Sequence, residues 1–256
     1  MLTKAFKKEI SSLCDSKGRR RLNAFMAEGT KCVLDTLDYF ELRYLIATPR
    51  WLEDHNIDES PKVFAANRGE IGEMSSMVLA PDVIAVYDLP AAPSFNPEAL
   101  SGQLVLALDR IQDPGNLGTI VRTADWMGVR TVLASKETVD CFNPKVVQAT
   151  MGAISRVKVV YGDLVGMLAE ISGRMPVFGT FLNGENIYSA NLPSAGVILL
   201  GNEGKGISAD LEPLVSRRLF IPPYPADCIT SESLNVASAA AIVLSQFRSR
   251  ISYGKD

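Results

Sequence analysis

The stretch LVLALDRIQDPGNLGTIVRTADWMG, residues 104–128, decides how this chain is read. Leu104 to Leu108 is an apolar run of strand length, and it ends in Asp109. A turn containing Asp113, Pro114 and Gly115 follows, and a helix is expected from Asn116, whose side chain suits an N-cap. Leu117, Ile120, Val121 and Ala124 then recur at helical spacing. Strand, tight turn and helix is the layout in which open α/β sheets place ligands, at the carboxyl ends of their strands. A capped helix with a surface arginine would account for most of it. The polar set Asp113, Asn116 and Arg122 is what invites a functional reading.

Strands and helices alternate from this stretch to the end of the chain. Strands are expected over 104–109, 131–134, 157–160, 176–181, 196–201 and 217–221, and helices over 116–127, 143–151, 163–171, 208–214 and 234–249. The strands are continuous apolar runs such as GVILLG rather than alternating ones, which fits a parallel sheet buried on both faces. Upstream, three prolines among small residues in PAAPSFNPEALSG mark a linker near residues 90–102. Two domains are therefore expected, over 1–92 and 98–256.

The N-terminal part reads as a small α/β unit. Residues 1–21 suggest a polar helix and a basic turn. FMAEGTKCVLDTLDYF, residues 25–40, begins with a turn at Glu28-Gly29 and continues as an amphipathic helix with Val33, Leu34, Leu37 and Phe40 on one face. Strand candidates follow at 43–48, 62–66, 78–80 and 83–89, with a helical segment around 71–77.

At 256 residues, 47% hydrophobic and 21% charged, the chain can bury a large core. Its net charge of −3 gives no overall pull towards nucleic acid. Charge is uneven, however: Lys4, Lys7, Lys8, Lys17, Arg19, Arg20 and Arg21 face only Glu9 and Asp15 within residues 1–21. That run is either a solvated face or a phosphate-contacting patch. Cys14, Cys32, Cys141 and Cys228 are widely separated, so no metal site and no disulfide framework is expected, and reduced cytoplasmic thiols are the default. His55 is the single histidine and stands in the charged stretch WLEDHNIDES, which disfavours histidine-dependent nucleophilic catalysis. No apolar segment approaches the roughly 18 residues of a membrane span, and the N-terminus lacks the apolar core of a secretory signal.

Two further stretches carry chemistry. VILLGNEGKGIS, residues 197–208, sets three glycines and Glu203 directly after a buried strand. Glycine lets backbone approach a ligand closely, so such a loop suits a nucleotide-like molecule, although neither a Walker A nor a dinucleotide fingerprint is present. An ordinary glycine-rich turn is the plainer reading. FIPPYPADCITSESLNVASAAAIVLSQF, residues 220–247, leads from a strand end through a polar loop into a helix of small residues. Ser231 or Ser233 would cap that helix.

Together, DPGNLGTIVRTADWMG, LLGNEGKGI and IPPY…SESLNVASAAAIVL resemble the three successive motifs of the SpoU (TrmH-type) methyltransferases. These belong to the SPOUT superfamily of S-adenosylmethionine-dependent RNA ribose 2′-O-methyltransferases. The resemblance covers about residues 104–249, and RLNAFMAEGTKCVLDTL is similar to the start of the family's ribosomal-protein-like substrate-binding domain. It implies a parallel-sheet domain threaded into a deep trefoil knot, preceded by a smaller α/β domain that binds RNA, with ribosomal RNA favoured over transfer RNA and both left open. It also implies a homodimer with active sites where two knots meet. Carried over by motif, Asn116, Arg122, Glu203, Ser233 and Asn235 would be catalytic. The cofactor, S-adenosylmethionine, would lie on the loops at Thr180, Gly201, Ile221 and Leu234.

The family proposal makes Arg122 the base for the ribose hydroxyl, aided by an RNA phosphate. An arginine stays protonated in proteins, so binding and polarising the hydroxyl or phosphate is the role expected of it here. Arg19, Arg20 and Arg21 are expected to contact RNA. The loop Pro223 to Glu232, with Asp227 and Cys228, is longer than the family's usual connection and leaves the cofactor contacts open. A catalytically silent RNA-binding or ribosome-assembly protein is the alternative, as is an α/β enzyme for another nucleotide-like ligand.

Overall fold

The structure is a computed structural model that describes residues 2–58, 60–225, 228 and 231–249. Two compact units emerge, one of residues 1–92 with 140–156, the other of 93–139 with 157–256. Among the described residues no helix is long and apolar enough to cross a membrane.

The first unit is built on a mixed sheet of β1 (Ala24–Glu28), β2 (Leu42–Ala47), β3 (Val63–Ala65) and β4 (Val83–Asp88). Their order is β1-β4-β2-β3, antiparallel except between β2 and β3. Helices α1 (Lys4–Ser11), α2 (Ser16–Leu22), α3 (Thr30–Leu34), α4 (Pro49–Asp54) and α5 (Arg68–Gly72) surround it. Two expectations change here. Residues 25–28 are strand rather than the approach to a helix, and every residue of β1 is buried. A strand covered on both faces shows no alternation, which is why its apolar residues gave no strand signal, and the helix expected to reach Phe40 ends at Leu34. Residues 78–80 are not a strand: Val78 and Leu79 stand in solvent, at 102% and 80% exposure. The buried Glu28 carboxylate secures the preceding turn, accepting from the Ser76 N–H at 3.0 Å and from the Ser75 and Ser76 hydroxyls.

Residues 140–156, assigned by sequence to the C-terminal half, group with the first unit. Their helix, Pro144–Thr150, packs on β1. The Phe142 ring meets Phe25 at 4.6 Å between centroids, and the Cys32 thiol reaches the Val147 carbonyl at 3.6 Å.

The second unit is a six-stranded sheet, parallel throughout. Its elements are β5 (Leu104–Leu108), α6 (Pro114–Trp126), β6 (Thr131–Ser135), β7 (Lys158–Gly162), α8 (Leu164–Ser172), β8 (Val177–Asn186), β9 (Gly196–Leu200), β10 (Arg217–Phe220) and α9 (Val236–Arg248). The Pro144–Thr150 helix counts as α7 in chain order. Both central strands, β5 and β9, are buried at every residue, as continuous apolar runs require. The helix expected over 208–214 reduces to a single turn at Glu212–Leu214.

Strand order is β10-β8-β9-β5-β6-β7. The chain winds outward from β5 through β6 to β7, then crosses to the other side of the sheet. The reversal therefore falls between β5 and β9, where doubly wound sheets open a crevice at their carboxyl ends. Helices α6 and α9 pack together, and the Arg248 Nε donates to the Met127 carbonyl at 2.8 Å.

Candidate active site

The first motif follows β5 and the second follows β9, the two strands that border the reversal point, and the third follows the edge strand β10. In the first, Asp113 is the N-cap of α6 and accepts from the Asn116 N–H at 2.8 Å, with Pro114 in the first turn where its missing N–H costs nothing. Asn116 was expected to cap; with Asp113 in that place, its side chain is free to point elsewhere. The same substitution of roles occurs in the third motif. Neither Ser231 nor Ser233 caps α9: Asn235 does, its Oδ1 accepting from the N–H groups of Ala237 at 2.9 Å and Ser238 at 3.2 Å.

The second motif is a tight loop. Its backbone closes between Asn202 and Gly206, and Asn202 Oδ1 accepts from the N–H groups of Gly204 and Lys205, both at 3.0 Å. Gly201 is required by the loop itself, because a Cβ there would stand 2.3 Å from Gly206 and Ile207 backbone atoms. The close approach anticipated for a ligand is made at Gly201 by the protein's own chain. Asn202, which sequence reading passed over, is the organiser, and an asparagine two residues before a glycine is a local signal that could have found it.

The motifs meet through their side chains. Asn116 Nδ2 donates to Glu203 Oε1 at 2.7 Å, and Asn235 Nδ2 donates to Asn116 Oδ1 at 2.9 Å. The direction of this chain is imposed from one end. Helix N–H groups only donate, so Asn235 turns its oxygen to α9 and its NH2 group to Asn116. Asn116 must then offer its oxygen to Asn235 and its NH2 group to the Glu203 carboxylate, which accepts it. Three residues spread over 120 positions become one oriented hydrogen-bonded line. Gly201 and Ile221 directly follow β9 and β10, while Thr180 lies within β8, the strand between them in the sheet, and its Oγ1 donates to the Leu199 carbonyl at 3.3 Å. Leu234 directly precedes the cap and is 48% exposed.

Comparison with known proteins matches residues 103–245 to the model of the SpoU rRNA Methylase family. The chain belongs to the SpoU rRNA methylase family. Among relatives of this SpoU methylase, the 23S rRNA (guanosine(2553)-2'-O)-methyltransferase RlmP of Bacillus subtilis is 28% identical over 94% of this chain and 95% of its own. The 23S rRNA (guanosine-2'-O-)-methyltransferase RlmB of Neisseria meningitidis is 36% identical, over 57% of this chain and 58% of its own. A TrmH-family protein of known structure from Porphyromonas gingivalis is 38% identical, covering 98% of this chain and 100% of its own, with a TM-score of 0.87. An AdoMet-bound rRNA methyltransferase from Sinorhizobium meliloti is 28% identical, covering 98% and 97%, with a TM-score of 0.83.

Not every residue expected at the SpoU site joins the line. Ser233 is exposed, and its carbonyl accepts from the Ser231 hydroxyl at 3.2 Å. Arg122 is exposed on α6 and makes no hydrogen bond or ion pair among the described residues. Asp227 lies outside the described residues. The basic run needs a correction. Arg19 is 2% exposed and does not face solvent: its Nε and Nη2 bond Asp140 Oδ2 at 3.0 and 2.7 Å, and its Nη1 donates to the carbonyls of Leu13 and Cys14. A helical turn of three arginines must put one of them inward, and Asp140 arrives from 121 residues away to receive it. Arg20 and Arg21 remain exposed. His55 takes no part in this site; its ring stacks on Trp51 in the first unit at 4.3 Å.

Proposed function

We propose that the protein methylates a ribose 2′-hydroxyl of structured RNA, ribosomal in preference to transfer RNA, using S-adenosylmethionine. One observation carries the reading: side chains from three separated motifs form a single oriented line, Asn235 to Asn116 to Glu203, at the carboxyl ends of parallel strands. The names of the RlmP and RlmB relatives and the AdoMet bound to the Sinorhizobium meliloti protein support the reaction class.

The residues present suit that cofactor. Thr180 within β8, Gly201 and Ile221 just past β9 and β10, and Leu234 before α9 would hold it, largely through backbone groups. The loop leaves room as well: nothing lies nearer than 3.8 Å to the place a Cβ would occupy at Gly204. S-adenosylmethionine, when bound, supplies an electrophilic sulfonium methyl. The chain's own residues supply alignment, which can remove a large part of the barrier. Asn116, Glu203 and Asn235 hold the nucleotide, and Ser233 faces it from the polar loop. Arg122 donates to the ribose hydroxyl or its phosphate, orienting and polarising the nucleophile.

An exposed Arg122 with no bond to any of the described residues is best used by a second copy. In this reading two protomers form a homodimer around deeply knotted C-terminal units, and Arg122 of one serves the pocket of the other. Trp126, on the same helix and 87% exposed, would be covered there. The first unit binds RNA, with Arg20 and Arg21 on phosphates, and the enzyme works in the cytoplasm without a metal.

The test is to map 2′-O-methylated nucleotides in ribosomal RNA from cells lacking the protein, then restore them in vitro with purified enzyme. An unchanged map, with no S-adenosylmethionine binding by calorimetry, would point to the silent RNA-binding protein instead.

A further inference from the structure

Asp109 ends β5, carries a carboxylate and is 2% exposed. Four donors surround it: the Ser208 N–H at 2.8 Å, the Ser208 hydroxyl at 2.5 Å, and Arg110 Nε and Nη2 at 3.0 and 3.1 Å. Burial of a carboxylate is tolerated only when such bonds replace its hydration. The next residue, Arg110, adopts a left-handed backbone with φ of 54°, unusual for a side chain of this size. Its N–H donates to the Ser135 hydroxyl at 3.0 Å, and its carbonyl accepts from Asn202 Nδ2 at 2.9 Å.

These bonds grip both feet of the loop that carries Glu203. Asn202, at the near foot, is tied to the Arg110 carbonyl. Ser208, at the far foot, is tied to the Asp109 carboxylate. Glu203 lies between them, one residue beyond the near foot. A residue held in a sparsely populated backbone region by several bonds is typical of a place where precise aim matters.

We infer that Asp109 is a positioning residue: with Arg110 it clasps the loop 201–208 and sets the place of the Glu203 carboxylate against Asn116. The inference rests on the methyl-transfer reading above. It assigns no chemistry to Asp109, whose carboxylate is spent on its four donors.

Asp109→Asn is the direct test, because an amide can accept on one side only. Its NH2 group must replace either Oδ2, which takes both Ser208 donors and Arg110 Nη2, or Oδ1, which takes Arg110 Nε, so a donor is set against a donor and the clasp is weakened while size and shape are kept. Ser208→Ala removes one bond and is the milder variant. The assay is tritiated methyl transfer from S-adenosylmethionine to ribosomal RNA from cells lacking the protein, each variant being made alone and in a Glu203→Gln background. For Asp109→Asn alone we expect kcat to fall about tenfold, with KM for RNA unchanged. In the Glu203→Gln background the same change should add nothing, because its effect runs through the group already altered. Ser208→Ala should repeat this pattern at about threefold, and it decides the matter if Asp109→Asn does not fold. An equal loss in both backgrounds, or a change confined to KM, overturns the inference. Wild-type protein that transfers no methyl group overturns the underlying reading, and this inference with it.

Discussion

Asn235 has two jobs, and a single substitution separates them. Its Oδ1 caps α9 through two N–H groups, while its Nδ2 aligns Asn116. Asn235→Ala abolishes both. Loss of an N-cap costs about 1 kcal/mol, and loss of the bond to Asn116 a further ~1 kcal/mol, so destabilisation near 2 kcal/mol is expected. Asn235→Asp keeps an acceptor for the cap, at a helix terminus that favours negative charge, so only the bond to Asn116 is lost and destabilisation should be about 1 kcal/mol, half that of Asn235→Ala. The aspartate cannot donate, however. Asn116 must either face it oxygen to oxygen or turn over and present its own oxygen to Glu203, so one acceptor pair clashes in either orientation. Methyl transfer should fall at least about tenfold, equivalent to roughly 1.4 kcal/mol in the barrier. Urea unfolding followed by circular dichroism reads the first quantity and tritiated methyl incorporation the second. If Asn235→Asp is as active as wild type, the oriented line is not needed for catalysis; if it is as unstable as Asn235→Ala, Asn235 does not act as the cap.

Arg19→Ala should destabilise the protein by about 2 kcal/mol, since it strands two carbonyls and breaks an ion pair whose arginine is buried and whose Asp140 is half-exposed, whereas joint replacement of Arg20 and Arg21 by alanine should leave stability within ~0.5 kcal/mol but weaken RNA binding and flatten its salt dependence. Denaturant titration and filter binding distinguish the two, and the opposite pattern would restore Arg19 to an RNA-facing role. Arg122→Ala and Glu203→Ala should each be nearly inactive, yet mixing them before assay should recover roughly a quarter of wild-type sites if each pocket draws on two protomers; no recovery from mixed, refolded subunits would place both residues in one protomer's site. Burial pushes the Cys32 thiol up from 9.0 to about 11. The unfolded chain therefore loses this proton first as pH rises: the contribution is complete below pH 9 and shrinks between the two values. At pH 10 the loss is about 1.4 kcal/mol, and Cys32→Ala should remove that part of the alkaline slope in unfolding titrations at pH 8 and 10. A slope unaltered by the substitution would count against it.

Much of the second unit was legible in sequence because its information is local. Continuous apolar runs reported strands covered on both faces, and five of the six expected strands end within two residues of those observed. The first unit was less transparent. In β1 the same two-sided burial erased the alternation that marks a strand, and no strand was expected there. Local chemistry also misled at the caps: Asn116 and Ser233 are good capping residues by type, yet Asp113 and Asn235 do the capping.

Sequence by itself determined the alternating α/β order, the parallel sheet and the three motifs, because periodicity and turn residues act over a few positions. Tertiary structure decided which of those side chains work together. Asn116 and Glu203 are 87 residues apart, Asn235 and Asn116 119, and Arg19 and Asp140 121. Each pairing depends on strand order and on where a distant loop returns, and no pattern along one element carries that information. The polarity of the line through Asn116 was beyond the sequence for the same reason: it begins at the N–H groups of α9, which acquire a direction only once the helix is packed against the end of the sheet.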